Sequence, residues 1–266
     1  MEPAAKMTTK TSPSGSERIS KNANIGANTR IHDDALIYPG ATIGDNCIIE
    51  PGAIIYENVK LGANSYVGAQ CILGERLSGY LSDPTYKNPS LLIGDNATIR
   101  SGTIIYADCK IGKGFQTGHR AVIREKSIFG DMCSFGTMAQ SDGQMTVGNN
   151  CRFHNNVFIA TFTTCEDDVH FYPLSCTVDS MHPPCQKGRE GPYLEKGVIV
   201  GAKVLILPRV RIGSKSVVAG ASVVTHDVPP GMVVAGMPAK VLKAREEVRC
   251  HIEDRPAYDV AMENKN

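Results

Sequence analysis

The sequence has no run of apolar residues near the length of a membrane span, and its opening stretch, MEPAAKMTTKTSPSGSER, lacks the apolar core that a secretory signal needs. Both absences argue against a spanning or exported chain. The expectation is a soluble, cytoplasmic protein with no membrane partner and a polar tail over residues 1–21. Charge of one sign is missing too: a formal net charge of +1 leaves no global field for nucleic acid, so any polyanion site must be local. Cysteine is not scarce, but no CxxC or Cys/His pairing of zinc type joins the 9 cysteines, and no metal is expected.

What is present is a repeat of six. Stepping by six from Ile25 meets Ile31, Ile37, Ile43, Ile49, Ile55, Leu61, Val67 and Leu73. The step resumes at Ile93 and runs through Thr117 to Thr177, then again from Val200 to Val224. A fixed period marks a solenoid before any strand is assigned. Many of these rungs are followed by Gly, as in IGDNCI, LGANSY and IGSKSV, and the residue four after a rung is small. Short strand, tight turn and short strand suit that pattern, with the aliphatic side chain inward and Gly easing the corner. Three hexapeptides make one triangular coil, so the expected fold is all-β, a left-handed parallel β-helix of about ten coils over residues 22–228. Cys47, Cys71, Cys109, Cys133 and Cys151 stand four after a rung and Cys165 is a rung, so they read as small reduced core residues.

Two excursions interrupt the phase, one between Leu73 and Ile93 and one between about Val178 and Gly197. Loops of that length in a solenoid are usually functional. They offer Tyr80, Tyr86, Asp179 and His182 to a ligand. After Val224, Pro229 and Pro230 stop the coil, and a short capping helix is expected from Ala239 to about Cys250, followed by a tail, within residues 229–266.

VVAGMPAKVL, following VAGASVVTHDVPPGMV, resembles the C-terminal signature of hexapeptide-repeat acyltransferases that use acyl-coenzyme A, and the resemblance spans Asn22 to Lys243. More narrowly, RSGTIIYADCKIGKGFQTGHRAVIREKSIFGD with the later VDSMHPP is similar to nucleotide-linked amino-sugar N-acetyltransferases. The resemblance implies a homotrimer, acetyl-CoA as donor, and active sites between neighbouring subunits.

Residues three hexapeptides apart stack on successive coils, about 4.8 Å apart. His119 then shares a column with Thr137 and Asn155, and Gly118 shares one with Gly136 and His154. The two glycines are expected to leave a furrow, capped by His154, where thioester and amine can meet. Thr117 breaks the aliphatic rhythm beside it, which suits either a coil shaped for a site or a Thr filling a Val position next to an exposed corner His. Amide formation needs a free amine, a proton acceptor and donors for the oxyanion. His119 and His154 are the catalytic candidates. Arg124, Glu125, Asn155 and Asn156 can hold hydroxyls, phosphates or the amine, with Arg124 suited to a diphosphate. From Lys203 to Lys243 six bases face one acid, a local patch for the phosphates of coenzyme A. Lys203 and Lys240 belong to that patch, and Gly201, Ala202, Gly220 and Ala221 would let the pantetheine arm lie against backbone.

The expected activity is acetyl transfer from acetyl-CoA to the amine of a dTDP- or UDP-linked amino sugar in a ternary complex. The alternatives are an O-acetyltransferase acting on a sugar hydroxyl, with His119 activating it, or a non-catalytic trimeric scaffold. A carbonic anhydrase on the same helix would need two histidines five residues apart, and none of the 7 has that spacing.

Overall fold

In the computed structural model the described residues are 18–258, apart from 184, 186 and 254. The expected leader up to residue 17 and the last residues from 259 lie outside them. The chain divides after Lys126 into two compact units, and the same repeat builds both.

Each unit is a left-handed parallel β-helix with three faces. In the first unit the first face stacks Asn24–Ile25, Thr42–Ile43, Val59–Leu61, Leu91–Ile93 and Lys110–Ile111. The second runs from Arg30–Ile31 to Gln116–Thr117 and the third from Leu36–Ile37 to Val122–Ile123. In the second unit the faces begin at Ile128–Phe129, Ser134–Phe135 and Gln140–Ser141 and end at Arg211–Ile212, the terminal hairpin and Val223–Val224. Most strands are two residues long, one pointing out and the rung pointing in, and each pairs in parallel with the strand one coil on, as Ile48↔Tyr66 and Ile49↔Val67 do. Rungs such as Ile37, Ile55, Ile105 and Ile206 are fully buried, and each contributes roughly 1.5–3 kcal/mol. Phe135, Phe153 and Phe171 are also rungs, and the last two rings stack 5.2 Å apart. The five cysteines four after a rung and Cys165 are buried free thiols, as the spacing implies.

Gly does not ease the corner in the way the sequence suggests. The left-handed residue falls three after the rung, where Asn28, Asn46, Asn64, Arg120 and Asn156 all have φ between 55° and 58°. Gly directly after a rung has another cause: a Cβ on Gly44 would lie 2.5 Å from the backbone N of Ala63 on the next coil. Glycine there permits the coils to close up.

Three further expectations change. Leu194 is a buried rung level with Cys165, so the second excursion ends before Tyr193 instead of at Gly197. Each unit holds five complete coils, and partial layers at Ile19, which bridges Ile37, and at Val228, which bridges Ile212, bring the count to about twelve rather than ten. The capping helix is absent: Met232–Gly236 and Ala239–Ala244 form an antiparallel hairpin, and only a 3-10 turn, Arg245–Glu247, follows. Val217–Val218 would otherwise end with an unpaired edge, and Val233 and Val234 satisfy it in register. In the hairpin Val241 and Leu242 stay 52% and 62% exposed. Beyond the hairpin, Val248 and Tyr258 pack on the outward Ile199, Val217 and Val233.

The outer surface of the third face differs from the others. In the first unit it presents Leu36, Ile54, Ile72, Ile104 and Val122, each half-buried; in the second it presents Phe158, Cys176, Leu205 and Val223 after Gln140. The outer residues of the first face in the first unit are Asn24, Thr42, Lys60, Leu92 and Lys110.

Candidate active site

The turn that follows the second face carries most of the expected site. In the second unit its successive coils read Gly136-Thr137-Met138, His154-Asn155-Asn156, Tyr172-Pro173-Leu174, Gly201-Ala202-Lys203 and Ala219-Gly220-Ala221. Backbone bonds hold these layers in step: Asn156 N donates to Thr137 O at 2.9 Å, Lys203 N to Pro173 O at 3.0 Å and Ala221 N to Ala202 O at 2.8 Å. Asn155 Oδ1 accepts from Thr137 N at 3.0 Å. His154, Asn155, Asn156, Gly201, Ala202, Lys203, Gly220 and Ala221 thus lie along one edge of one unit. Asn155, Asn156, Ala202, Lys203, Gly220 and Ala221 are exposed there.

Gly136 leaves no furrow. A Cβ on it would lie 2.5 Å from the carbonyl carbon of His154, so its glycine serves close approach of the coils. His154 is half-buried, with its ring stacked on Tyr172 at 4.7 Å and 13°. Burial, and next the charge of Arg152, lower its pKa, which keeps the imidazole neutral. On the second face next to this turn, His170 is 8% exposed, and burial, then Arg152 and His154, lower its pKa to about 4 against the pull of Asp168.

His119 occupies the equivalent turn of the first unit and is exposed. The break in rhythm before it has an internal cause. Thr117 is 3% exposed, and its Oγ1 accepts from Arg100 N at 2.9 Å, a bond made to side chain where ordinary coils bond rung carbonyl. Thr103 Oγ1 lies 3.2 Å from the Thr117 hydroxyl and donates to Gly118 O at 3.2 Å. The ladder loses its Ile99–Thr117 pair, so only Thr98↔Gln116 remains. The same device recurs in the second unit, where Thr177 Oγ1 accepts from Ala160 N at 2.9 Å and meets Thr163 at 3.1 Å. Threonine rungs therefore let the ladder open locally without an orphaned N–H.

The other expected residues stand on a different edge, the turn after the third face. Arg124 and Glu125 are there in the first unit and pair with each other at 2.8 Å. Both excursions leave from the same turn. In the first, Tyr86 is a fastening: its hydroxyl accepts from Leu77 N at 3.0 Å and donates to Asn88 Oδ1 at 2.6 Å. Tyr80 is 51% exposed and its ring lies 4.4 Å from the guanidinium of Arg76, which also covers Tyr38 and Tyr56 and bonds Glu57. In the second excursion Asp179 bonds Arg189 and Thr161. Burial pushes the Asp179 carboxyl up, but the bonds from Arg189 and Thr161 outweigh it and hold its pKa low. Asp179 therefore anchors the loop, while His182 is exposed on it. Lys240 is exposed on the second hairpin strand, opposite Ala235.

Arg76, Tyr172, His170 and Arg189 were not singled out from the sequence. Tyr172 had a signal, since it directly follows a rung in the column of His154; Arg189 had none, because it lies where no period runs. Among the described residues no group of His, Cys, Asp and Glu could hold a metal ion, and no helix is long and apolar enough to cross a membrane.

Residues 22–57 match the family model described as bacterial transferase hexapeptide (six repeats). A 2,3,4,5-tetrahydropyridine-2,6-dicarboxylate N-acetyltransferase of Staphylococcus aureus (strain Newman) is 50% identical over 56 residues, 21% of this chain and 23% of the relative. The chain thus matches less than a quarter of that relative's length. Among solved structures, a hexapeptide-repeat acetyltransferase from Vibrio cholerae is 28% identical, over 48% of this chain and 72% of that one, with a TM-score of 0.34. A UDP-N-acetylglucosamine acyltransferase from Francisella novicida is 17% identical, over 84% and 71%, with a TM-score of 0.39.

Proposed function

We propose that this hexapeptide-repeat β-helix is an acyl-CoA-dependent acetyltransferase that moves acetyl from acetyl-CoA to the amine of a dTDP- or UDP-linked amino sugar, as a homotrimer. The observation that carries the reading is the shared edge of the second unit, where Gly201, Ala202, Lys203, Gly220 and Ala221 lie in line with His154, Asn155 and Asn156. A coenzyme is a long, thin ligand with phosphates at one end. An edge of small residues with exposed Lys203, and with Lys240 on the hairpin that ends the same sheet, suits that shape and charge. The 50% identity to an N-acetyltransferase over 56 residues also supports transfer to nitrogen.

In this mechanism the neutral amine attacks the thioester carbonyl, the carbon–sulfur bond breaks, and the amine proton passes to His119 while the coenzyme leaves as its thiolate. His119, exposed on its turn, is reachable by a substrate from outside. In the second unit Asn155, Asn156 and the half-buried His154 lie along the edge proposed for the coenzyme. Arg124 and Glu125 lie one turn further round the coil, with the third face between the two edges. If the apolar outer surface of that face packs against a second copy, one copy's His119 edge meets the partner's Arg124 edge, and the diphosphate and the amine are held together. This is the reason for proposing a trimer whose sites lie between subunits.

The test is a thiol-release assay with acetyl-CoA against a panel of dTDP- and UDP-amino sugars and their deaminated hydroxyl analogues. Release that depends on the amine supports this reading, release with the hydroxyl analogues favours O-acetylation, and no release with any acceptor would sink the transferase reading in favour of a scaffold.

A further inference from the structure

The edge of the second unit holds an aromatic stack to which neither the coenzyme nor the proton transfer has been assigned. His154 and Tyr172 directly follow the rungs Phe153 and Phe171, and their ring centroids are 4.7 Å apart at 13°. That separation matches the coil rise of about 4.8 Å, so the stack climbs the edge coil by coil. It ends at Tyr172. On the next coil Gly201 is level with it, since Phe171 pairs with Val200. A Cβ at Gly201 would meet Gly220 N at 2.6 Å and Val218 O at 2.8 Å, so no side chain from that position can cover the tyrosine. Tyr172 remains 41% exposed. Two residues past Gly201 the exposed Lys203 is fixed to this layer by its N–H bond to Pro173 O at 3.0 Å. An aromatic ring backed on one face by an imidazole, uncovered beyond, with an ammonium group on the adjoining turn, matches a planar heterocycle joined to a phosphate.

We infer that Tyr172 is the platform for a nucleobase: a purine or pyrimidine ring stacks on it, continuing the His154–Tyr172 column beside Gly201, and the phosphate attached to that nucleoside pairs with Lys203. The inference rests on the proposed reaction, both of whose substrates carry such a unit, adenine in the coenzyme and a pyrimidine in the nucleotide sugar. It assigns His154 a positioning role behind Tyr172. Stacking on an aromatic side chain tolerates any base, so the geometry commits to the class of ring and the experiment identifies its source.

The chain has no tryptophan, so Tyr172→Trp introduces a single indole whose emission reports on this position alone. The variant is titrated with 3′,5′-ADP, UDP, dTDP and base-free ribose 5-phosphate. The expected result is saturable quenching by a nucleotide and none by ribose 5-phosphate. Response to 3′,5′-ADP assigns the platform to the coenzyme, and response to UDP or dTDP assigns it to the acceptor. Calorimetry on Tyr172→Ala should then show the dissociation constant for the same nucleotide raised by roughly 5- to 150-fold, with Tyr172→Phe close to wild type and all variants melting like wild type. Quenching by none of the three nucleotides, equal quenching by ribose 5-phosphate, or unchanged affinity in Tyr172→Ala would overturn the inference. Binding is read without turnover, so the two readings fail separately. Absence of thiol release leaves the quenching result standing, whereas an active transferase whose Tyr172→Ala variant keeps wild-type Michaelis constants sinks the platform alone.

Discussion

Acid should weaken the second unit through one residue, His170. Its side chain points outward from the strand His170–Phe171, in register with Arg152 on one side and Ile199 on the other, yet it is 8% exposed. Burial, then Arg152 and His154, hold its pKa near about 4, with Asp168 opposing. In the unfolded chain an ordinary imidazole titrates near about 6.5. Between those values the unfolded state binds more protons, so stability is complete above the higher one and is lost as pH falls toward the lower. The gap corresponds to about 3 kcal/mol at roughly 1.4 kcal/mol for each pH unit, which is a large share of the roughly 5–15 kcal/mol that holds a typical domain together. The perturbation is His170→Gln, which keeps a polar planar group and removes the titration. Urea melts of wild type and variant at intervals from about pH 8 to pH 4 give the difference in unfolding free energy at each point, so carboxylates common to both cancel. Wild type should lose its advantage over the variant by about 3 kcal/mol across this range. His154, whose pKa is also lowered by burial and Arg152, acts with the same sign and remains in both proteins. A difference that stays flat with pH would refute the claim that His170 is held neutral by its burial.

Reversing Lys240 to Glu should raise the Michaelis constant for acetyl-CoA and leave that for the sugar nearly unchanged. The effect should shrink at high salt, because exposed charges are screened over about 8–10 Å, and an unchanged constant would place the coenzyme phosphates elsewhere. Thr117→Val keeps the rung's shape but leaves Arg100 N without its 2.9 Å acceptor. It should cost about 1–3 kcal/mol in a urea melt, whereas a neutral result would mean that the ladder recloses there. Ile104→Asp puts a charge on the outer surface of the third face; if wild type is the proposed trimer, light scattering should show this variant reduced to the 28.6 kDa chain. A wild-type mass for this variant would remove that face from the interface.

The repeat was legible because a buried triangular core admits one rung every six residues, and Ile25 to Leu73 keep that phase without a break. Its chemistry also explained the six buried cysteines. Leu194 is in phase with Val200, but its turn, Glu195-Lys196-Gly197, has no glycine directly after the rung, and the preceding excursion hid it. The C-terminal misreading has a different cause. AKVLKAREE is rich in good helix formers, yet the edge of Val217–Val218 gives Val233 and Val234 a ladder to join, and tertiary pairing overrides local propensity. For the site, the coil period was enough to stack His154 on Gly136 and Asn155 on Thr137, but Gly201 and Ala202 lie beyond the second excursion, and only the pairing of Phe171 with Val200 puts them on the same edge. The period could not show that Gly136 is pressed against the His154 backbone, or that Thr117 answers to Arg100 N, since both depend on how closely neighbouring coils approach. The Asp179–Arg189 pair lies in the excursion, where no period relates one residue to another.

The most direct test of the central claim is the rate of thiol release from acetyl-CoA by wild type and His119→Asn, measured with the best amino-sugar acceptor under saturating substrates. Loss of a general base should lower kcat by roughly 10²–10⁴-fold, with the melting temperature unchanged. A variant that turns over at the wild-type rate would contradict the account and take the proton transfer away from the His119 turn.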